Sequence, residues 1–136
     1  WQLLQCCERI AATSSENKLL EVWVNTSEAE IQPAISPAYE VSKRLLGQLV
    51  SLRGATRSPQ ERSRLVLRKL VLGPFRSELN PIGVMSADFV AGQILWQTSI
   101  GARLVIVTPN PLTYLLMPLT ELGRRVYSRW LNRPDP

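Results

Sequence analysis

"LLEVWVNTSEAEIQPAISPAYEVSKRLLGQL", residues 19–49, changes its hydrophobic period halfway along. Residues 19–25 are a β-rich apolar run that ends in the small polar cluster Asn25, Thr26 and Ser27, the pattern of a buried strand. Beyond Pro33 and Pro37, Ala38, Val41, Leu45, Leu49 and Leu52 recur every three or four residues, which predicts a helix closing near Gly54. Strand then helix opens a βαβ unit, and the alternation repeats downstream. "RLVLRKLVL", 64–72, returns to strand character and breaks at Gly73-Pro74. Ser86 is a fair N-cap for a helix carrying Phe89, Val90, Gln93, Ile94, Trp96 and Gln97, which Gly101 ends. "ARLVIVT", 102–108, is then a third strand. Residues 2–12 read as a short helix ahead of the first strand, and 111–131 as a long one behind the last, with Pro118 as a kink or first-turn break.

Such alternation predicts an α/β fold: a parallel sheet of about three strands with right-handed crossovers and flanking helices, in one domain over 1–136. In sheets of this kind the functional crevice lies beyond the carboxyl ends of the strands. Three segments arrive there: Asn25 to Ser27, Gly73 to Ser77, and Thr108 to Asn110.

The chain has 136 residues, 45% of them apolar, enough to close one core. No apolar run is long enough for a membrane span, and no secretory leader is readable. A cytoplasmic protein is therefore expected, and Trp1 in place of methionine suggests a processed product or part of something longer. With no histidine, a Cys/His metal site cannot be assembled, so no metal is expected. Adjacent Cys6 and Cys7 read as reduced, buried thiols. The net charge of +5 comes from thirteen arginines and three lysines, clustered between Arg53 and Lys69 and again at Arg124, Arg125, Arg129 and Arg133. Without aromatic interleaving or a zinc pattern, these clusters are expected to be a solvated loop and helix face, with no nucleic-acid partner.

Tyr39 and Lys43 stand four apart at the start of the second helix, on one face. An ammonium beside a phenol stabilises the phenolate, so the pair can pass a proton, and a hydroxyl at Ser27 adds a donor for a substrate oxygen. Tyr-x-x-x-Lys also occurs on many helices as an exposed pair without chemistry, so the order of the surrounding motifs carries the reading.

That order resembles the second half of the short-chain dehydrogenase/reductase family, a Rossmann-like three-layer fold. There a strand ends at a catalytic serine and Tyr-x-x-x-Lys follows on a helix, as in the segment quoted above. "KLVLGPFRSEL", 69–79, resembles the next landmark, a strand followed by Pro-Gly-x-x-x-Thr, with Gly73 at the glycine and Ser77 at the threonine. "MSADFVAGQIL", 85–95, resembles the helix before the last strand. The resemblance implies Tyr39 as general acid/base, Lys43 activating it and binding the nicotinamide ribose, and Ser27 steadying the substrate carbonyl. It further implies that Gly73, Pro74 and Phe75 face the nicotinamide, with Ser77 on its carboxamide. Ser27 lies twelve residues before Tyr39, one closer than the family spacing, which falls on Thr26.

The cofactor implied is NAD or NADP. No G-x-G-x-x-G turn occurs, however, so the pyrophosphate cradle of the family is missing and a chain holding no cofactor is the other expectation. The function implied is carbonyl/alcohol interconversion; the competing expectation is a silent scaffold or interaction subunit. A looser likeness is to reductase-like tails fused behind sterol-desaturase-like membrane domains in cyanobacteria. A three-stranded remnant exposes a sheet edge, so self-association or a protein partner is expected to cover it. The closing helix, 111–133, sets Leu115, Leu116, Met117, Leu119, Leu122, Val126, Tyr127, Trp130 and Leu131 against arginines. An apolar stripe of this kind is expected to pack on the sheet; exposed, it would be an interfacial helix touching a membrane surface.

Overall fold

The computed structural model describes residues 2–14, 19–78 and 80–131. Along the chain run α1 (Gln2–Thr13), β1 (Leu20–Ser27), a 3-10 turn (Glu28–Glu30), α2 (Pro37–Thr56) and α3 (Pro59–Arg64). There follow β2 (Leu65–Leu72), α4 (Ala87–Ser99), β3 (Leu104–Val107) and α5 (Pro111–Leu131). The fold is α/β and partially Rossmann-like. The three strands form one sheet in the order β1-β2-β3. Pairing is parallel throughout, from Leu20 opposite Leu65 to Ser27 opposite Leu72, and from Lys69 opposite Leu104 to Leu72 opposite Val107. Parallel strands need coverage on both faces, and two apolar clusters provide it. Leu70, Leu72, Val105 and Val107 meet Val90 of α4 on one face, while Val71 and Ile106 meet Met117 of α5 on the other.

Local signals set the helix ends. Ser36 accepts from the Tyr39 amide with Pro37 in the first turn, Ser58 and Glu61 form a reciprocal capping box, and Ser86 caps α4. Gly101 follows α4 at φ 85°, a left-handed conformation that glycine adopts without a Cβ penalty. β1 runs two residues beyond the predicted strand and β3 is shorter than predicted. Pro118 lies inside a continuous α5.

Three expectations are corrected. Cys6 is exposed and Cys7 only half-buried, because α1 packs through Leu4 and Ala11 instead. The basic stretch from Arg53 to Lys69 is not a solvated loop: it includes α3, and Arg57, Arg68 and Lys69 are all buried. Arg57 donates to the Glu61 and Leu65 carbonyls, and burial lowers its pKa against the pull of Glu8 and Glu61. Arg53 bridges Glu8 of α1 at 2.7 Å and Glu61 of α3 at 3.2 Å. Finally, α5 packs only Met117 of its apolar stripe on the sheet and turns the others outward; Arg133, assigned to that stripe's border, lies outside the described residues.

Arg68 of β2 forks onto Glu21 of β1 at 2.7 and 3.0 Å. The Arg68 hydrogen bond, helped by the Trp23 indole, lowers the Glu21 pKa from 4.5 to about 2. A depressed carboxylate stabilises the fold fully above its unfolded value and loses that contribution as pH falls through its folded value. The pair's contribution should therefore fade between pH 4.5 and about 2. Thermal unfolding across that window should fall less steeply for Glu21→Gln than for the wild-type chain.

Candidate active site

The carboxyl ends of β1 and β2 open into a cavity of about 880 Å³, a volume typical of small-molecule sites. Ser27, Tyr39, Lys43, Gly73, Pro74, Phe75 and Ser77 all line it. Sequence positions spread over fifty residues thus share one recess. Thr108 to Asn110 reach the same rim without lining the recess: Thr108 donates to Glu28, and Asn110 holds the Gln32 side chain at 2.9 Å.

Tyr39 sits in the first turn of α2, about half exposed, and its hydroxyl makes no hydrogen bond to the described residues. Lys43, one turn later, places Nζ 5.5 Å from the Tyr39 ring centroid. The ammonium donates to the backbone carbonyl of Asn25 at 3.4 Å, which ties α2 to the end of β1. Lys43 therefore stands beside the phenol while anchored on the strand.

The two hydroxyls competing for the serine role are separated by the pleat of β1. Thr26 Oγ1 donates to the Leu70 carbonyl at 3.0 Å and is buried, so its proton is committed to the sheet. Ser27 Oγ accepts from the Ala29 amide at 3.2 Å as cap of the 3-10 turn, which leaves its own proton for another acceptor. Ser77 likewise accepts from the Asn80 amide at 3.2 Å and keeps a proton to donate.

The loop after β2 is held by its backbone. The Gly73 amide donates to Val107 at 2.8 Å, Arg76 donates to Met85 at 2.8 Å, and Pro74 accepts from Val84 at 3.1 Å. Gly83 lets the returning chain lie against it: a Cβ there would come 2.0 Å from the Phe75 carbonyl carbon and 2.2 Å from the Arg76 nitrogen. Gly83→Ala should displace this cavity wall and destabilise the chain by about 1–3 kcal/mol. Denaturant unfolding and amide exchange at 75–77 would measure it; an unchanged midpoint would show that the loop yields freely.

Sequence reading missed Gln32, Ile35 and Asn80, which also line the cavity. Asn80 stood in an Asn-Pro turn signal, whereas Gln32 and Ile35 carried no local pattern. It also missed a buried ionic cluster beneath the site. Lys69 of β2 donates to Glu30 at 2.7 Å, Glu121 at 2.6 Å, the Gly47 carbonyl at 3.1 Å and Ser51 at 3.2 Å. Arg124 closes it onto Glu30 at 2.7 Å and Glu121 at 3.2 Å. Burial opposes ionisation of Glu121, but the Lys69 charge and hydrogen bond, with Ser51 and Arg124, outweigh it and hold the carboxyl below its ordinary range. Gly47 makes room for the cluster, since a Cβ there would lie 1.8 Å from Glu30 Oε2.

No protein-family model matches the chain. No solved structure matches it either. The chain is 45% identical over 133 residues to a monoglucosyldiacylglycerol epimerase of Synechocystis sp., a similarity that covers 96% of the chain and 31% of that protein.

Proposed function

We propose that the cavity carries nicotinamide-dependent carbonyl/alcohol interconversion, with Tyr39 as general acid/base. The observation that supports this most is the joint lining of one recess by Ser27, Tyr39 and Lys43, with the ammonium fixed beside the phenol. The residues fit the nicotinamide-ribose end of NAD or NADP. Lys43 would take the ribose hydroxyls, Ser77 the carboxamide, and the backbone of Gly73 to Phe75 the ring. When bound, the nicotinamide supplies or accepts the hydride at the substrate carbon. In the reducing direction Tyr39 gives its proton to the substrate oxygen, Lys43 steadies the phenolate left behind, and Ser27 donates a hydrogen bond to that oxygen. In oxidation Tyr39 takes the alcohol proton back.

The similar Synechocystis protein is named as an epimerase of a glycolipid, which extends this reading to a substrate class. Inverting a sugar carbinol can proceed by oxidation to the ketone and reduction on the opposite face, without net redox change. One acid/base then serves both half-reactions. We infer a lipid-borne sugar hydroxyl as the substrate, with the pyrophosphate cradle and the cover for β1 supplied outside these residues, by the same polypeptide or a partner. The setting would be cytoplasmic and peripheral to a membrane.

The lack of a Gly-rich turn favours a second reading, a cofactor-free scaffold. Fluorescence titration of NADH and NADPH, run on this chain joined to the polypeptide or partner that supplies the pyrophosphate cradle, separates them. The enzymatic reading expects a saturable change that Lys43→Ala weakens about tenfold, the worth of a charge-assisted hydrogen bond. A flat titration with both cofactors would select the scaffold.

A further inference from the structure

α5 lies with a mostly polar side against the protein, Met117 being its apolar contact with the sheet. Thr113, Met117, Glu121 and Ser128 are buried, and Arg124 turns inward onto Glu30. The opposite side is apolar: Leu112, Leu115, Leu119, Leu122, Val126 and Trp130 follow one another at steps of three or four and are 57–70% exposed. On a helix of 21 residues this stripe runs about 30 Å. A continuous exposed apolar surface of that length marks an interaction site rather than chance exposure.

Charge decides what covers it. Arg125 and Arg129 border the stripe, both exposed and without an ion pair among the described residues. The single acidic residue of α5, Glu121, is buried in the ionic cluster. A second copy pairing through this face would offer neither arginine a carboxylate. A bilayer surface offers both things the face lacks, an apolar interior for the leucines and phosphate oxygens for the arginines. Tyr127 and Trp130, at 65% and 70% exposure, are residue types that favour the headgroup boundary. No described helix is long and apolar enough to cross a membrane, so α5 would lie along the interface.

We propose that the outward face of α5 seats this protein on an anionic membrane surface. The face goes beyond the oxidoreductase reading and stands without it. The placement has a consequence for access: Asn110 caps α5, its Oδ1 accepting from the Leu112 amide at 3.0 Å, and its Nδ2 reaches Gln32 on the cavity wall. A seated α5 thus begins at the mouth of the recess.

Flotation of the purified chain with vesicles tests the proposal. The chain should float at low salt with phosphatidylcholine vesicles containing phosphatidylglycerol. Arg125→Gln/Arg129→Gln should weaken that binding by roughly fivefold per arginine. Leu115→Gln/Leu122→Gln/Val126→Gln should abolish it while circular dichroism stays unchanged, because these side chains contact solvent rather than core. Brominated acyl chains should quench wild-type tryptophan emission, and Trp130→Phe should lose that quenching. Absence of flotation at low salt would overturn the proposal. So would a self-associated chain that the triple glutamine variant dissociates while flotation persists, which would make the occupant a second copy.

Discussion

Lys69→Met is expected to destabilise the chain by about 3–5 kcal/mol, measured as the shift of a denaturant midpoint at unchanged slope. Lys69, Glu30 and Glu121 are each about 4% exposed, so water cannot replace the ammonium. Arg124, at 2.7 Å from Glu30 and 3.2 Å from Glu121, would face two carboxylates alone. Glu30 Oε1 already lacks a hydrogen-bond partner, so the cluster has no slack on that side. Neutralising one carboxylate as well, in Lys69→Met/Glu121→Gln, should recover part of the loss, because Arg124 then faces a single carboxylate and the cost lies in the unpaired charge rather than in the lysine. A single variant within about 1 kcal/mol of wild type would mean that the cluster admits water.

Tyr39→Phe should lower turnover by roughly 10²–10⁴-fold, the range for a positioned general acid/base, while leaving cofactor affinity and stability unchanged. The substitution removes one hydroxyl that no described residue holds, and Ser36 caps the helix through the Tyr39 amide, not its side chain. Lys43→Ala differs in kind, since Nζ both sits beside the ring and ties α2 to Asn25; it should reduce affinity together with turnover. Steady-state kinetics with a lipid-borne sugar or a simple carbonyl would distinguish the two. Activity of Tyr39→Phe within threefold of wild type would remove the tyrosine from the chemistry.

Much of the fold was legible because short-range physics sets it. The change from strand to helical period between residues 19 and 49, the serine cap at 86 and Gly101 after α4 each act within a few residues. The rim was legible too, since parallel alternation brings the carboxyl ends of β1 and β2 together whatever their loops contain. α3 went unread although Ser58 to Glu61 carries the local pattern of a capping box: the six-residue helix it opens lies in a stretch whose polar, basic composition reads as loop.

By itself the sequence determined the α/β alternation, the parallel sheet and the edge on which Ser27, Tyr39, Lys43 and Gly73 meet. Only the tertiary structure decided which side of α5 faces inward. Periodicity marks a helix as two-sided, and burying the apolar side is the default. Here the inward side is set by matching of charges drawn from separate elements: Glu30, Lys69 and Glu121 satisfy one another only when the 3-10 turn, β2 and α5 are already packed. Such pairing acts across 39 residues from Glu30 to Lys69 and 52 from Lys69 to Glu121, so it leaves no local mark, and it sends the leucines of α5 outward.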